Sequence, residues 1–174
     1  MPFTPYHLGP ALVIGIIFIY YLDFPTLLVA SVILDIEPFL VLLLDLNYPL
    51  HGFFHSFLGG AIVILPLSLF MFKIRPHLNP VMNYFKIKQN PSFVKILVAS
   101  TIGIYLHLLL DAPLYSDMKP FFPLSSNPFL NKSDLITDTI YLFCGYCFLV
   151  AIILYLVYIA TQIKKLKKNN NNKN

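Results

Sequence analysis

The chain has 174 residues, 57% of them hydrophobic and only 11% charged, with a formal net charge of +4. Soluble domains hold roughly 45–50% apolar and 25% charged residues, and a single fold of this length cannot bury the excess. A soluble globular domain is therefore excluded, and one membrane-embedded domain with lipid covering its helix exteriors remains.

The amino-terminal heptapeptide Met-Pro-Phe-Thr-Pro-Tyr-His has no basic side chain before the first apolar run. It does not read as a cleavable signal peptide, so the first apolar stretch, about 8–22, is expected to be retained. Four more stretches follow at about 24–44, 54–73, 94–112 and 136–162. A hydrocarbon core of roughly 30 Å needs about 20 helical residues, and the first stretch is the shortest. Backbone groups in lipid must bond within their own segment, and runs such as Leu-Val-Leu-Leu-Leu at 40–44 lack the alternation of a barrel strand. The expected fold is all-α: a polytopic transmembrane bundle of about five helices over residues 1–163. Residues 164–174, rich in Lys and Asn, read as a disordered tail at the lipid headgroups with no nucleic-acid role.

Acids and imidazoles in or beside hydrocarbon cost several kcal/mol each unless paired, so their positions are informative. His7 precedes the first stretch. Asp35 and Glu37 lie within the second, His51 and His55 lead into the third, and His107 and Asp111 close the fourth. Residues two apart on an ideal helix point about 200° apart, so Asp35 and Glu37 cannot share a site on a regular helix. Pro38 is expected to break span two at Glu37 and free the Leu34 carbonyl. If the break does not turn both acids inward, Asp35 is the metal ligand and Glu37 a supporting residue or general base. His51/His55 and His107/Asp111 have i, i+4 spacing, about 40° apart around a helix, and each pair can clamp one ion. Imidazole and carboxylate are the donor set for zinc and similar divalent cations. Asp23, Asp45 and His77 lie apart and are given no role. Cys144 and Cys147 are read as small packing residues in the last helix.

Ten of the twelve basic residues fall on one face of the expected topology: Lys73, Arg75, Lys86, Lys88 and Lys95 around the third connection, and five lysines after the last span. The positive-inside rule puts that face in the cytoplasm. The amino terminus and the loops at about 45–53 and 113–135 then face outward, and the seven polar candidates share one depth near the outer interface. The 113–135 loop, with Pro113, Pro120, Pro123 and Pro128 among Tyr115, Phe121, Phe122 and Phe129, reads as an interfacial cap above the cluster.

The strings Met1 to His7, Leu-Asp-Ile-Glu-Pro at 34–38, His-Gly-Phe-Phe-His-Ser at 51–56 and His-Leu-Leu-Leu-Asp-Ala-Pro-Leu-Tyr at 107–115 resemble the YdjM-like family of inner-membrane metal-dependent hydrolases, nearest an archaeal-type branch. The resemblance covers about residues 1–125. Against the bacterial pattern, Glu37 replaces the second acid, Pro38 stands where a histidine would be, and the arginine of the His-containing motif is absent. The resemblance implies a metal-dependent hydrolase. The preferred reading is thus a membrane-bound hydrolase with a divalent cation, zinc the expected one, held by a subset of His7, Asp35, His51, His55, His107 and Asp111. Glu37 and Asp35 are the candidate catalytic acids, and the substrate is a lipid or lipid-linked compound at the outer interface. Two alternatives stay open: an ion-coupled transporter or channel, whose broken helices carry midplane acids, and an assembly protein whose metal ties the bundle together.

Overall fold

The computed structural model describes residues 5–87 and 89–171, and among them the chain is helical with no strand. Six α-helices follow in order: α1 (Leu8–Ile17), α2 (Phe24–Ala30), α3 (Ile36–Leu43), α4 (Phe57–Tyr84), α5 (Phe93–Asp111) and α6 (Asp134–Asn171). Four units are long and apolar enough to cross a membrane: Phe24–Leu43, Phe57–Tyr84, Phe93–Asp111 and Asp134–Lys165. The first stretch falls short of that length, forming only a shorter apolar helix over Pro5–Ile17. His7 lies at its start, and a turn closed by Leu22 N–H on the Phe18 carbonyl hands the chain to Asp23 at the opposite end.

The second span is broken, one turn earlier than the sequence predicts. Asp23 caps α2, its carboxylate accepting from Thr26 N–H, with Pro25 in the first turn. After Ala30 the chain tightens into a 3₁₀ turn at Ile33–Asp35 and restarts as α3. Pro38 falls in the first turn of α3, where its missing N–H is no loss, so Glu37 stays helical.

Helix α4 starts at Ser56, whose hydroxyl accepts from Gly59 N–H, and runs to Tyr84, past the expected end at 73 and through Pro66, Pro76 and Pro80. Arg75 is therefore no loop cation. It is buried, its Nε donates to Asp23 at 2.7 Å, and its Nη1 donates to Asn79 at 2.6 Å. Asp23, given no role by the sequence, thus holds the start of α2 against α4. The connector at this end is tied down by Gln89, which donates to the carbonyls of Ile19 and Leu22 and accepts from Phe24 N–H.

Two glycines let neighbouring helices approach closely. A Cβ on Gly103 of α5 would stand 2.5 Å from Ala30 Cβ and 2.8 Å from the Leu27 carbonyl of α2, and one on Gly9 of α1 would strike the Cys144 carbonyl of α6. Such small-residue contacts bring helix backbones together in lipid, where hydrophobic burial drives nothing. Cys144 and Cys147 are free thiols buried against this seam, in line with a packing role. The core between α2, α4 and α5 is filled by Ala30, Met71, Ile96, Ile104 and Leu108.

Helix α6 does not end where the apolar run does. It continues through Lys164, Lys165 and the asparagines to Asn171, where the sequence predicts a disordered tail. No proline or glycine follows Gly145 to stop it. The last part of the expected tail, 172–174, lies outside the described residues.

Candidate metal centre

Four polypeptide segments deliver the polar residues to one place. His7 ends the turn that opens α1, Asp35 closes the 3₁₀ turn inside the broken span, His51 and His55 sit in the turns before α4, and His107 and Asp111 occupy successive turns at the end of α5. All six are buried, with His55 and His107 fully so. His107 and Asp111 meet as helical spacing requires, Nε2 to Oδ2 at 3.1 Å. His51 and His55 also meet, but not on an α-helix. A turn and the 3₁₀ segment Phe53–His55 bring their rings edge to face, 4.9 Å between centroids.

Asp111 is the hub. Its Oδ1 lies 3.2 Å from His7 Nε2, and its Oδ2 lies 3.1 Å from His107 Nε2 and 4.0 Å from His55 Nε2. Asp35 Oδ1 stands 3.8 Å from His107 Nε2. The Nε2 atoms of His55 and His107 face each other at 3.3 Å.

The opposite nitrogens explain how these rings are oriented. His107 Nδ1 donates to the Ser31 carbonyl at 2.9 Å, an oxygen left without a helical partner where α2 ends. His55 Nδ1 donates to Glu37 Oε2 at 2.7 Å, and His51 Nδ1 donates to Asp117 Oδ1 at 3.0 Å. A carbonyl or carboxylate only accepts, so each Nδ1 carries a proton, and in the neutral ring Nε2 is then the nitrogen with a lone pair. Carboxylate or carbonyl behind, imidazole in front, is the arrangement that orients histidine ligands on metals. His7 is the exception: its Nδ1 has no hydrogen-bond partner among the described residues.

Glu37 and Asp35 therefore divide their tasks. Asp35 faces the imidazole cluster directly, whereas Glu37 stands behind His55 and also accepts from Phe54 N–H at 3.3 Å. Asp117 and the Ser31 carbonyl are parts of the centre that the sequence did not reveal. Asp117 lies in the 113–135 cap, which has no periodicity to place an acid. The one available hint was its position two residues beyond Tyr115, and Tyr115 stacks on His51 at 3.7 Å between ring centroids.

The cap is fastened over the centre by its own bonds. Phe57 N–H donates to the Pro120 carbonyl, Asn127 donates to the Ala112 carbonyl, and Phe121 packs on Phe57 and Phe129. Asp117 accepts from both the backbone N–H and the ring of His51. Burial pushes the Asp117 carboxyl upward, but these two donors outweigh it and hold its pKa below the usual carboxylate value. Burial, reinforced by the neighbouring His55 ring, pushes His51 below the ordinary imidazole value and favours its neutral, ligating form.

The donors fit a divalent cation. Buried imidazole nitrogens and carboxylate oxygens within 4.8 Å of one another are the donor set of zinc and similar cations. Beside the centre, an apolar groove of about 490 Å³ opens along α3, lined by Ile33, Ile36, Leu40, Leu46 and Phe54, with Glu37 at its wall. Comparisons with protein-family models, with curated proteins and with solved structures find no match to this chain.

Proposed function

We propose that this chain is a membrane-bound, metal-dependent hydrolase acting on a lipid or lipid-linked substrate, with zinc the favoured ion. The observation that carries the metal is the convergence of six buried donors, His7, Asp35, His51, His55, His107 and Asp111, in two sets whose ligating atoms lie within 4.8 Å of one another. A cation among these groups would offset the cost of burying them together. Such a cation supplies a Lewis acid for an ester, phosphoester or amide and ionises water near neutral pH.

The chain's own residues divide the remaining work. Glu37, Asp117 and the Ser31 carbonyl hold three rings in their ligating tautomer. Glu37, at the groove wall, is the acid placed to take a proton from an attacking water, with Asp35, buried beside His107, the second candidate. The groove supports the substrate class: its apolar lining suits an acyl or prenyl chain, and Glu37 joins it to His55. The resemblance of the His- and Asp-containing strings to the YdjM-like family points the same way. By charge asymmetry the centre faces the exterior and the carboxyl-terminal helix ends in the cytoplasm.

Purified protein is expected to carry a transition metal, and to hydrolyse at least one member of a panel of lipid phosphates and esters in a chelator-sensitive, zinc-restored manner. His107→Ala is expected to lose both properties. Metal-free protein that folds normally would end the proposal. The broken second span also suits an ion-coupled carrier, although its freed Ser31 carbonyl is already spent on His107. Ion flux in vesicles without turnover would favour that reading.

A further inference from the structure

We infer that the centre holds two divalent cations bridged by Asp111. The inference rests on the metal reading above and adds the number of ions and the division of ligands. The six donors do not form a single shell. They fall into two sets, one of His7, Asp35, His107 and Asp111 and the other of His51, His55 and Asp111, and within each set the ligating atoms lie within 4.8 Å of one another. Asp111 alone belongs to both. Its Oδ1 faces His7 and its Oδ2 faces His107, and the same Oδ2 lies 4.0 Å from His55, so the carboxylate reaches imidazoles of both sets. A carboxylate whose two oxygens address different imidazoles is shaped to bridge.

Coordination number and charge point the same way. A catalytic zinc takes three protein ligands and a structural one takes four, so one ion would leave two or three buried ligating groups without a function. Two ions use all six, with four donors on one and three on the other, Asp111 counted in each. Four carboxylates surround the rings: Asp35 and Asp111 in front, Glu37 behind His55 and Asp117 behind His51. Among the described residues, no lysine or arginine pairs with any of them, and Arg75 is committed to Asp23. One dication leaves two of these four charges uncompensated, and two dications balance all four. Hydrolytic two-metal sites hold their ions about 3.5–4 Å apart, a separation that one bridging carboxylate spans.

The assignment also divides the ions between elements. The first is held by the start of α1, the break in span two and α5. The second is held by the turn before α4 and the end of α5, with His51 backed by the cap.

The test is zinc titration of chelator-stripped full-length protein in detergent, read by calorimetry and by elemental analysis after desalting. Two equivalents per chain are expected. His51→Ala is expected to retain one equivalent, and Asp111→Ala to lose tight binding at both positions. Manganese loaded at two equivalents is expected to give an exchange-coupled paramagnetic resonance spectrum, and at one equivalent in His51→Ala an uncoupled six-line spectrum. One equivalent in the wild type, with no coupled manganese signal, would overturn the two-ion assignment and leave the single-metal reading intact. No bound zinc in folded wild-type protein would overturn both. The wild-type stoichiometry decides the matter even if a variant fails to fold.

Discussion

His55 and His107 illustrate how one ring nitrogen governs the other. Glu37 and the Ser31 carbonyl fix a proton on Nδ1, so in the neutral ring Nε2 is the atom that would serve the proposed cation. Supporting partners of this kind typically contribute 10–100-fold to metal affinity. Glu37→Gln and Asp117→Asn are each expected to weaken zinc binding by about that factor while leaving the fold intact, as measured by competition with a chromogenic chelator. Unchanged affinity in both would mean that these acids do not orient the rings. The candidate donors were legible in the sequence because each is a polar group in or beside an apolar stretch at matching depth. Asp117 was not, because the cap carries no periodicity and an acid in a loop costs nothing to solvate. The Ser31 carbonyl was hidden for a different reason: a backbone oxygen becomes available only where a helix stops, and the sequence placed that stop at Glu37 instead.

At the scale of elements, the break in the second span and the glycine contact one helix away act together. Gly103 lets α2 approach α5 until Ala30 and Leu27 touch its backbone, and His107, one turn further along α5, then meets the Ser31 carbonyl. A valine at 103 has no room, since even a Cβ stands 2.5 Å from Ala30 Cβ. Gly103→Val is expected to push the helices apart, lower the unfolding temperature and reduce zinc affinity by at least an order of magnitude. Gly145→Val, where an added Cβ meets nothing within 4 Å, is the matched control and is expected to change neither. Equal behaviour of the two variants would refute the close-contact account. The existence of the long helices followed from apolar length alone, whereas their ends did not. Helix α4 outran its apolar stretch because Arg75 found Asp23 and Asn79, partners that no local pattern announces. Helix α6 outran its own because nothing in the basic tail breaks a helix.

For the whole molecule, the two buried polar clusters mark opposite ends. The imidazole centre and its cap lie at one, and the Asp23–Arg75 pair with the Gln89 connector lies at the other. Arg75 is neutralised within the fold, so it adds nothing to the positive-inside signal. The asymmetry survives its removal, because Lys73, Lys86, Lys88, Lys95 and the terminal lysines still stand against Lys119 and Lys132 alone. A reporter fused after Lys168 is expected to be active only on the cytoplasmic side, and activity on the exterior side would reverse the proposed orientation.

Helix α6 contributes no ligand, yet it is the partner on which α1 is seated. Gly9 lies against the Cys144 carbonyl, Tyr6 packs edge-on against Tyr141 at 5.2 Å, and Ile16 and Ile19 share a cluster with Ala151. His7 is the residue that leads into α1. The carboxyl-terminal rod, remote in sequence from every donor atom, is thereby the mooring of the first one, and loosening it would open the chemistry from its far side.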